Sequence, residues 1–161
     1  NQLDSVKKEK ESLETRLSQV SGADGNNKLL TAVIKAANLY ISNDSTGAAE
    51  AIADVDVSSL PVEEAKTLYN TISGATMMNA ANDLYNRGMT AYNKADYTTA
   101  ADLLVRAYKC DKTKADAVFY AAKSYVALNQ PDNAKKYYQI IADEFKSSGY
   151  VTETQAYVQS H

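Results

Sequence analysis

Few residues of the kinds that most often carry catalysis occur in this chain, and their spacing predicts no active site. The chain has one histidine, His161, and one cysteine, Cys110, so neither a usual zinc site nor a nucleophile with a histidine base can be assembled. The six glycines are scattered and form no phosphate-binding loop. The adjacent carboxylates Glu63 and Glu64 are typical of the solvated first turn of a helix. We therefore predict a protein that is not an enzyme and uses no metal or cofactor.

Charge and apolar content argue against two further classes of function. The net charge is -3 and the basic residues do not cluster, which gives no electrostatic reason to expect nucleic-acid binding. No stretch approaches the roughly 18 consecutive apolar residues of a membrane-spanning helix. The chain opens with Asn1, inside a periodic pattern, so we expect an upstream segment that would hold any membrane anchor. Such an anchor would place the protein in the cell envelope, and its absence would favour a cytoplasmic location.

The first 20 residues carry a heptad-like pattern. Its positions recur at spacings of three and four with polar residues between them: Leu3, Val6, Lys10, Leu13, Leu17 and Val20. We predict the end of a coiled coil over residues 1–20, which pairs with other copies and makes the protein a homo-oligomer. A helix that packs on its own domain has the same pattern and stays open as the alternative. Residues 21–27 hold two glycines and two asparagines and predict a flexible linker before a domain over 28–161.

Two segments of that domain, residues 81–114 and 115–148, align with no gap. Residues of the same kind stand 34 positions apart: Leu84 and Val118, Gly88 and Ala122, Ala100 and Ala134, Leu103 and Tyr137, Leu104 and Tyr138, Ala107 and Ile141. A fixed period of this length indicates stacked helical hairpins. We expect the first hairpin to have its second helix capped by Asp96 and ending near Cys110, and the second hairpin to turn at Pro131.

A weaker copy of this pattern precedes the two repeats. Residues 28–60 predict a degenerate hairpin, with a turn over residues 43–46 that caps its second helix. The apolar residues of that second helix match those of the first repeat at an offset of 52 residues: Ala48 with Ala100, Ile52 with Leu104 and Val55 with Ala107. Because 52 is one period plus about the length of one helix, the sequence predicts an additional helix between the hairpin and the repeats.

The additional helix is predicted over residues 61–80 and begins at Pro61, a residue suited to the first turn. Its buried face is predicted to consist of Val62, Ala65, Leu68, Tyr69 and Ile72. Gly74 favours a break or bend over residues 73–76, and a single helix to about Lys94 stays open as the alternative. At the other end of the domain, Thr152 to Gln155 matches the sequence pattern of a capping box, which marks the start of a helix. It predicts a final helix over 152–160 that caps the end of the stack.

The two repeats resemble the tetratricopeptide repeat family. The matching positions of the two repeats are Leu84, Gly88, Ala91, Ala100, Leu104 and Ala107, then Val118, Ala122, Tyr125, Ala134, Tyr138 and Ile141, with Asp96 and Tyr97 at the turn that this family favours. The chain departs from the family pattern at Arg87, Ala91 and Lys112. The resemblance implies an all-α fold, an α-solenoid of antiparallel helical hairpins.

The resemblance also implies a binding groove, because the first helices of such repeats form the inner surface. The residues at those positions are Tyr85, Met89, Tyr92, Asn93, Phe119, Tyr120 and Lys123. We predict that they bind a peptide or a helix of a partner protein. The alternatives are that the tyrosines only pack between hairpins, or that the chain's own end fills part of the groove through Val151, Tyr157 and Val158. The chaperone-binding members of this family hold a terminal carboxylate with basic residues at set positions of the inner helices. In this chain those positions hold Tyr85, Met89 and Tyr120, so we expect no such carboxylate clamp.

The expected function is thus a non-enzymatic interaction module or scaffold. The order of coiled coil and repeats is also similar to that of the bacterial Tol-Pal cell division coordinator family, which belongs to the envelope. That similarity suggests the alternative, a self-associating structural spacer of the bacterial cell envelope.

Overall fold

The structure, a computed structural model, describes residues 1–19 and 24–160. Over those residues the chain forms eight α-helices, one short 3₁₀ helix (Val57–Ser59) and no strand, which confirms the all-α class. The α-helices are α1 (Gln2–Gln19), α2 (Asp24–Ile41), α3 (Ser45–Ile52), α4 (Glu63–Asn93), α5 (Tyr97–Cys110), α6 (Ala115–Ala127), α7 (Pro131–Glu144) and α8 (Val151–Ser160).

The chain divides into two compact units, Asn1–Ala80 and Ala81–His161. This division differs from the predicted coiled coil, linker and single domain over 28–161, because α1 belongs to the first unit. The second unit begins at the residue where the first 34-residue repeat was predicted to begin. Each unit is described separately below.

Helix α1 packs on its own unit. Val6 and Leu13 are 0% exposed and belong to the same apolar cluster as residues of α2, and Leu17 packs against that cluster. An ion pair joins the Arg16 guanidinium to the Glu64 carboxylate at 2.8 Å. Of the other seam residues, Leu3 is 36% exposed, Lys10 forms an ion pair with Glu14, and Val20 lies outside the described residues.

These contacts match the alternative reading of the heptad pattern, in which the helix covers its own domain. Pairing of α1 with other copies stays a prediction, and the two most buried seam positions, Val6 and Leu13, already have partners within the unit. The predicted flexible linker is also shortened. Helix α2 begins at Asp24, inside the stretch 21–27, and residues 20–23 lie outside the described part of the chain.

Helix α4 is continuous from Glu63 to Asn93. Of the two possibilities predicted over residues 73–76, a break or a bend, the break is therefore wrong. Gly74 is exposed, and a Cβ at this position would meet no atom outside its own turn of the helix within 4 Å. A single glycine lowers helix stability by roughly 1 kcal/mol but does not end a helix whose neighbours keep the helical pattern. The first turn begins two residues after Pro61.

The buried face predicted for the first part of α4 is confirmed. Ala65, Leu68 and Ile72 are buried in the core of the first unit, and Val62 and Tyr69 pack against it. Residues at spacings of three and four lie on one side of a helix, which is why this set reaches the same cluster.

In the second unit, five of the six matched pairs 34 residues apart are buried at both positions: Leu84 and Val118, Gly88 and Ala122, Ala100 and Ala134, Leu104 and Tyr138, and Ala107 and Ile141. In the sixth pair Leu103 is buried and Tyr137 is half-buried. Gly88 sits against the next helix, since a Cβ at that position would lie 2.8 Å from the Leu104 Cγ and 3.3 Å from its backbone nitrogen. Small residues are therefore required where the helices approach this closely.

Three turns end their helices in the same way, after α2, α4 and α6. Each places one residue in the left-handed region: Asn43 at φ 65°, Ala95 at φ 58° and Asn129 at φ 55°. In each turn that residue's N–H donates to the carbonyl three residues earlier, and the next N–H donates to the carbonyl five residues earlier. This is the Schellman arrangement. The three residues are separated by 52 and 34 positions, the offsets predicted from the apolar pattern.

The helices that follow these turns are capped as expected. The Asp44 carboxylate accepts from the Gly47 N–H at 2.8 Å, and the Asp96 carboxylate accepts from the Thr99 N–H at 3.2 Å. The bonds from Thr99 hold the pKa of Asp96 below its ordinary value. Pro131 opens α7, where its missing N–H has no helical partner to lose.

The predicted last helix is present as α8, although its start differs. The helix begins at Val151, so Thr152 lies within its first turn and is not the N-cap of a capping box. The Thr154 N–H donates to the Tyr150 carbonyl at 3.0 Å, so Tyr150 occupies the cap position directly before the first helical residue.

Candidate partner-binding surface

The predicted groove residues of the second unit come from α4 and α6. In α4, residues 85, 89 and 92 follow the spacing of four and three that aligns side chains along one face. In α6, residue 123 lies four positions after 119 and three after 120, so it neighbours both of them on the helix surface. Tyr85, Met89, Tyr92, Tyr120 and Lys123 are half-buried, Phe119 is buried and Asn93 is exposed.

Ring contacts connect the two helices. The rings of Tyr92 and Tyr120 meet edge to face, with centroids 5.2 Å apart and 71° between their planes. Tyr120 in turn meets Phe119 at 5.5 Å and 79°, and Tyr92 meets Tyr97 at 5.5 Å and 72°. Edge-to-face geometry is the arrangement that the ring quadrupoles favour. These contacts and those described next bring five residues together. We call this set the aromatic surface: Tyr85, Tyr92, Phe119, Tyr120 and Lys123.

Charged groups border the aromatic surface. The Lys123 ammonium lies 5.3 Å from the centre of the Phe119 ring, and the Lys114 ammonium lies 5.4 Å from the centre of the Tyr85 ring. Both distances fall within the range of a cation–π attraction. Lys114 also donates to the Asn82 side-chain oxygen at 2.8 Å, which fixes its position.

The hydroxyls of Tyr85 and Tyr92 stay protonated at neutral pH. Burial raises the pKa of Tyr85, and the nearby Asp116 and Tyr120 raise it further. Burial also raises the pKa of Tyr92, with Lys123 acting in the opposite direction. A neutral hydroxyl can both donate and accept a hydrogen bond, so the surface combines apolar ring area with polar contact points.

The chain's own end covers part of the aromatic surface. The ring of Tyr150 stacks on that of Phe119, with centroids 4.0 Å apart and 16° between planes. The Tyr150 hydroxyl donates to an Asp116 carboxylate oxygen at 2.8 Å. Glu153 accepts from the Lys123 ammonium at 3.1 Å. These contacts leave the Phe119 side chain only 4% exposed.

The sequence identified the covering segment but not the residues that make these contacts. Of the expected residues, Tyr157 packs against Tyr138, with ring centroids 4.7 Å apart. Tyr150 and Glu153 were missed. Their spacing held the signal, because residues 150, 153 and 157 follow the i, i+3, i+7 pattern of one helix face.

An open cavity of about 320 Å³ lies beside the covered part, between α6, α7 and α8. It is lined mainly by Lys123, Val126, Tyr138, Glu153, Ala156 and Tyr157. Val126 at its edge is 42% exposed, which is unusual for a large apolar side chain of this unit. The cavity therefore extends the aromatic surface with apolar area that a further side chain could contact.

Other kinds of site are not found in the described residues. Residues 1–19 and 24–160 contain no group of three or more His, Cys, Asp and Glu side chains arranged to hold a metal ion. Within the same residues, no helix combines the length and the apolar character needed to cross a bilayer.

Comparison with known proteins gives no relative for this chain: no family model, no curated protein and no solved structure matches it. The resemblance to the tetratricopeptide repeat therefore stays a prediction from residues and spacing.

Proposed function

We propose that the chain is a non-enzymatic interaction module that binds an amphipathic helix of a partner protein on the aromatic surface. The single observation that carries this proposal is the contact between Tyr92 of α4 and Tyr120 of α6. Two half-buried tyrosines from different helices, with Lys123 beside them, form a contact area of the composition that is enriched at interfaces.

The proposal includes an architecture, an α-solenoid of antiparallel helical hairpins of the tetratricopeptide kind. The burial of five of the six matched pairs 34 positions apart and the three identical Schellman turns support it. In such a stack the first helix of each hairpin lines one side, which is the arrangement under which residues of α4 and α6 would share a surface.

The partner is proposed to be a helix because of the shape and polarity of the surface. Its apolar area is rings rather than an open strand edge, and its polar groups are tyrosine hydroxyls and a lysine. A helix that presents apolar side chains at i, i+3, i+4 and i+7 can contact such rings while an acidic residue reaches the lysine.

The test is a selection of displayed helical peptides on the immobilised full chain, followed by measurement of the Kd of the selected peptide by fluorescence anisotropy. We expect Tyr120→Ala to raise the Kd about tenfold or more, since truncation of a central aromatic contact costs at least about 1.4 kcal/mol. Tyr125→Ala is the matched control, because Tyr125 is also a half-buried tyrosine of α6 but stacks on Tyr137.

Two results would count against the proposal. If Tyr120→Ala and Tyr125→Ala change the Kd equally, the aromatic surface is not the binding site. If no peptide is selected, and the combined variant of Tyr85, Tyr92 and Phe119 to Ala changes only the oligomeric mass in light scattering, the chain is the self-associating spacer.

A further inference from the structure

We propose that Tyr150 and α8 act as an internal ligand of the aromatic surface, which a partner helix displaces by presenting the same pattern: a tyrosine, an acidic residue three positions later and an aromatic residue four positions after that. This inference rests on the proposed function and specifies the partner's chemistry. The pattern in this chain is Tyr150, Glu153 and Tyr157.

The contacts of the internal ligand define what the surface recognises. Phe119 offers a flat apolar ring, and Tyr150 stacks on it at 4.0 Å. Asp116 accepts from the hydroxyl of that tyrosine at 2.8 Å. Lys123 donates to Glu153 at 3.1 Å. A partner therefore needs a tyrosine followed by an acid one helical turn later, since phenylalanine would leave Asp116 without this donor.

The third position of the pattern fits a different part of the site. Tyr157 lies against the Tyr138 ring and lines the cavity of about 320 Å³ between α6, α7 and α8. The space beside Tyr157 is open, so a larger aromatic side chain on a partner helix can be accommodated there. The partner can thus gain contact area that the internal ligand does not use.

Helix α8 is held by few buried side chains. Thr154 is its one fully buried residue, whereas α5 buries seven. The Thr154 hydroxyl is buried without a hydrogen-bond partner. An unpaired buried hydroxyl opposes docking, because it loses its hydrogen bonds to water and gains none in return.

The segment between α7 and α8 allows Tyr150 and α8 to leave the aromatic surface without disturbing the helices before them. Helix α7 ends at Glu144, and between it and Tyr150 the exposed residues include Ser147 and Gly149. No atom lies within 4 Å of the Cβ position of Gly149. A short connection, in which three of the five residues are exposed, keeps α8 at a high effective concentration while it exchanges.

Displacement has a quantitative consequence for any partner. The apparent affinity equals the intrinsic affinity multiplied by the fraction of molecules whose surface is uncovered. Substitutions in the chain's own α8 therefore change a partner's Kd without any contact to that partner. Substitutions that weaken docking tighten the partner's binding, and those that strengthen docking weaken it.

The experiment uses a fluorescent synthetic peptide of residues 148–160 as the probe and the full chain as its receptor. We expect Tyr150→Ala in the chain to lower the Kd of the peptide about tenfold relative to the unchanged chain. Thr154→Val in the chain removes the unpaired hydroxyl at constant shape and should raise that Kd about fivefold. Gln159→Ala, an exposed position of α8, is the control and should leave it unchanged.

Substitutions made in the peptide, rather than in the chain, should change the Kd in the opposite direction. Thr154→Val in the peptide should tighten binding, and Glu153→Lys should abolish it because a second ammonium would face Lys123. If Tyr150→Ala unfolds the chain, the unchanged peptide should raise its Tm by supplying the missing ring; Thr154→Val tests the idea independently.

The outcomes separate this inference from the proposed function. Equal Kd values for the unchanged, Tyr150→Ala and Thr154→Val chains overturn the internal-ligand inference. So does a selected helical peptide that binds at Tyr120 while the 148–160 peptide does not bind the Tyr150→Ala chain; in both cases the proposed function stands. If no peptide of either kind binds any of the chains, both are wrong.

Discussion

The ring of Tyr150 lies nearly parallel to the ring of Phe119, with centroids 4.0 Å apart and 16° between planes. The hydroxyl at the other end of the Tyr150 side chain donates to Asp116, one helical turn before Phe119. Helix α6 thus contacts both the apolar and the polar part of one tyrosine. This double contact explains why a tyrosine rather than a phenylalanine suits the position.

Docking of α8 should be lost at alkaline pH. Burial raises the pKa of Tyr150 above its ordinary value of 10.0, and Asp116, Tyr120 and Tyr85 raise it further. The hydrogen bond that Lys123 donates to Glu153 raises the pKa of Lys123 above 10.5, against the effect of burial. Both groups have higher pKa values when folded, so their stabilisation is complete below about pH 10 and is lost as the pH rises through the folded values.

Hydrogen exchange of α8 amides, measured at a series of pH values and corrected for the intrinsic rate, would check this. We expect constant protection between about pH 6 and pH 9 and a decline above about pH 10. Tyr150→Phe removes one titrating group and should shift the decline to higher pH. An unchanged profile in that variant would show that Tyr150 does not control docking.

Two glycines of α4 should respond to alanine in opposite directions. Gly74 faces open space, so Gly74→Ala should raise stability by roughly 0.5–1 kcal/mol through helix propensity. Gly88→Ala should lower it by roughly 1–2 kcal/mol, because the added methyl group meets the Leu104 side chain and backbone. Urea denaturation of the two variants measures both effects. Stabilisation by Gly88→Ala would contradict the close helix contact.

Substitutions in α1 should affect stability rather than assembly. Leu13 is 0% exposed, so Leu13→Ala should cost about 2–5 kcal/mol, whereas Leu3→Ala at an exposed position should cost less than about 0.5 kcal/mol. Light scattering should give the same mass for both variants and the unchanged chain. A mass that falls only in the Leu13 variant would restore the coiled-coil interpretation.

The turn at Ala95 should be improved by glycine. Ala95 has φ 58°, where the Cβ of an L-residue is strained by roughly 1 kcal/mol. Ala95→Gly should therefore raise Tm, whereas Asn129→Gly at the equivalent turn should change it less because asparagine tolerates this conformation. Calorimetry of the two variants makes the comparison. Equal shifts would mean that the conformation of Ala95 carries no specific cost.

The regular parts of the second unit were predictable from the sequence because local signals and spacing agree there. Asp96 caps α5 and Cys110 ends it, as predicted, and five of the six matched pairs of the two repeats are buried at both positions. The packing of α1 on its own unit was not predictable, because a coiled-coil helix and a helix that packs on its own domain share one apolar pattern. Spacing identifies the apolar face but not what covers it.

The candidate site was predicted in part for a related reason. Helical spacing located the aromatic residues on α4 and α6, and the structure brings Tyr92, Tyr120 and Phe119 into contact. The spacing of Tyr150 and Glu153 places them on one helix face, but their partners Asp116 and Lys123 lie 30 or more positions away, and local spacing does not identify those partners. The continuity of α4 differs from the prediction because one glycine, Gly74, does not end a helix whose neighbouring residues keep the helical pattern.

The fixed ring angles at Tyr92 also have a spectroscopic consequence. Its ring meets those of Tyr97 and Tyr120 at 72° and 71°. The chain has twelve tyrosines and no tryptophan, so its near-UV circular dichroism arises mainly from tyrosine. That signal requires rings held in one packing arrangement, whereas the far-UV signal requires only helices. The two spectral regions therefore separate ordering of the rings from helix formation in an unlabelled sample.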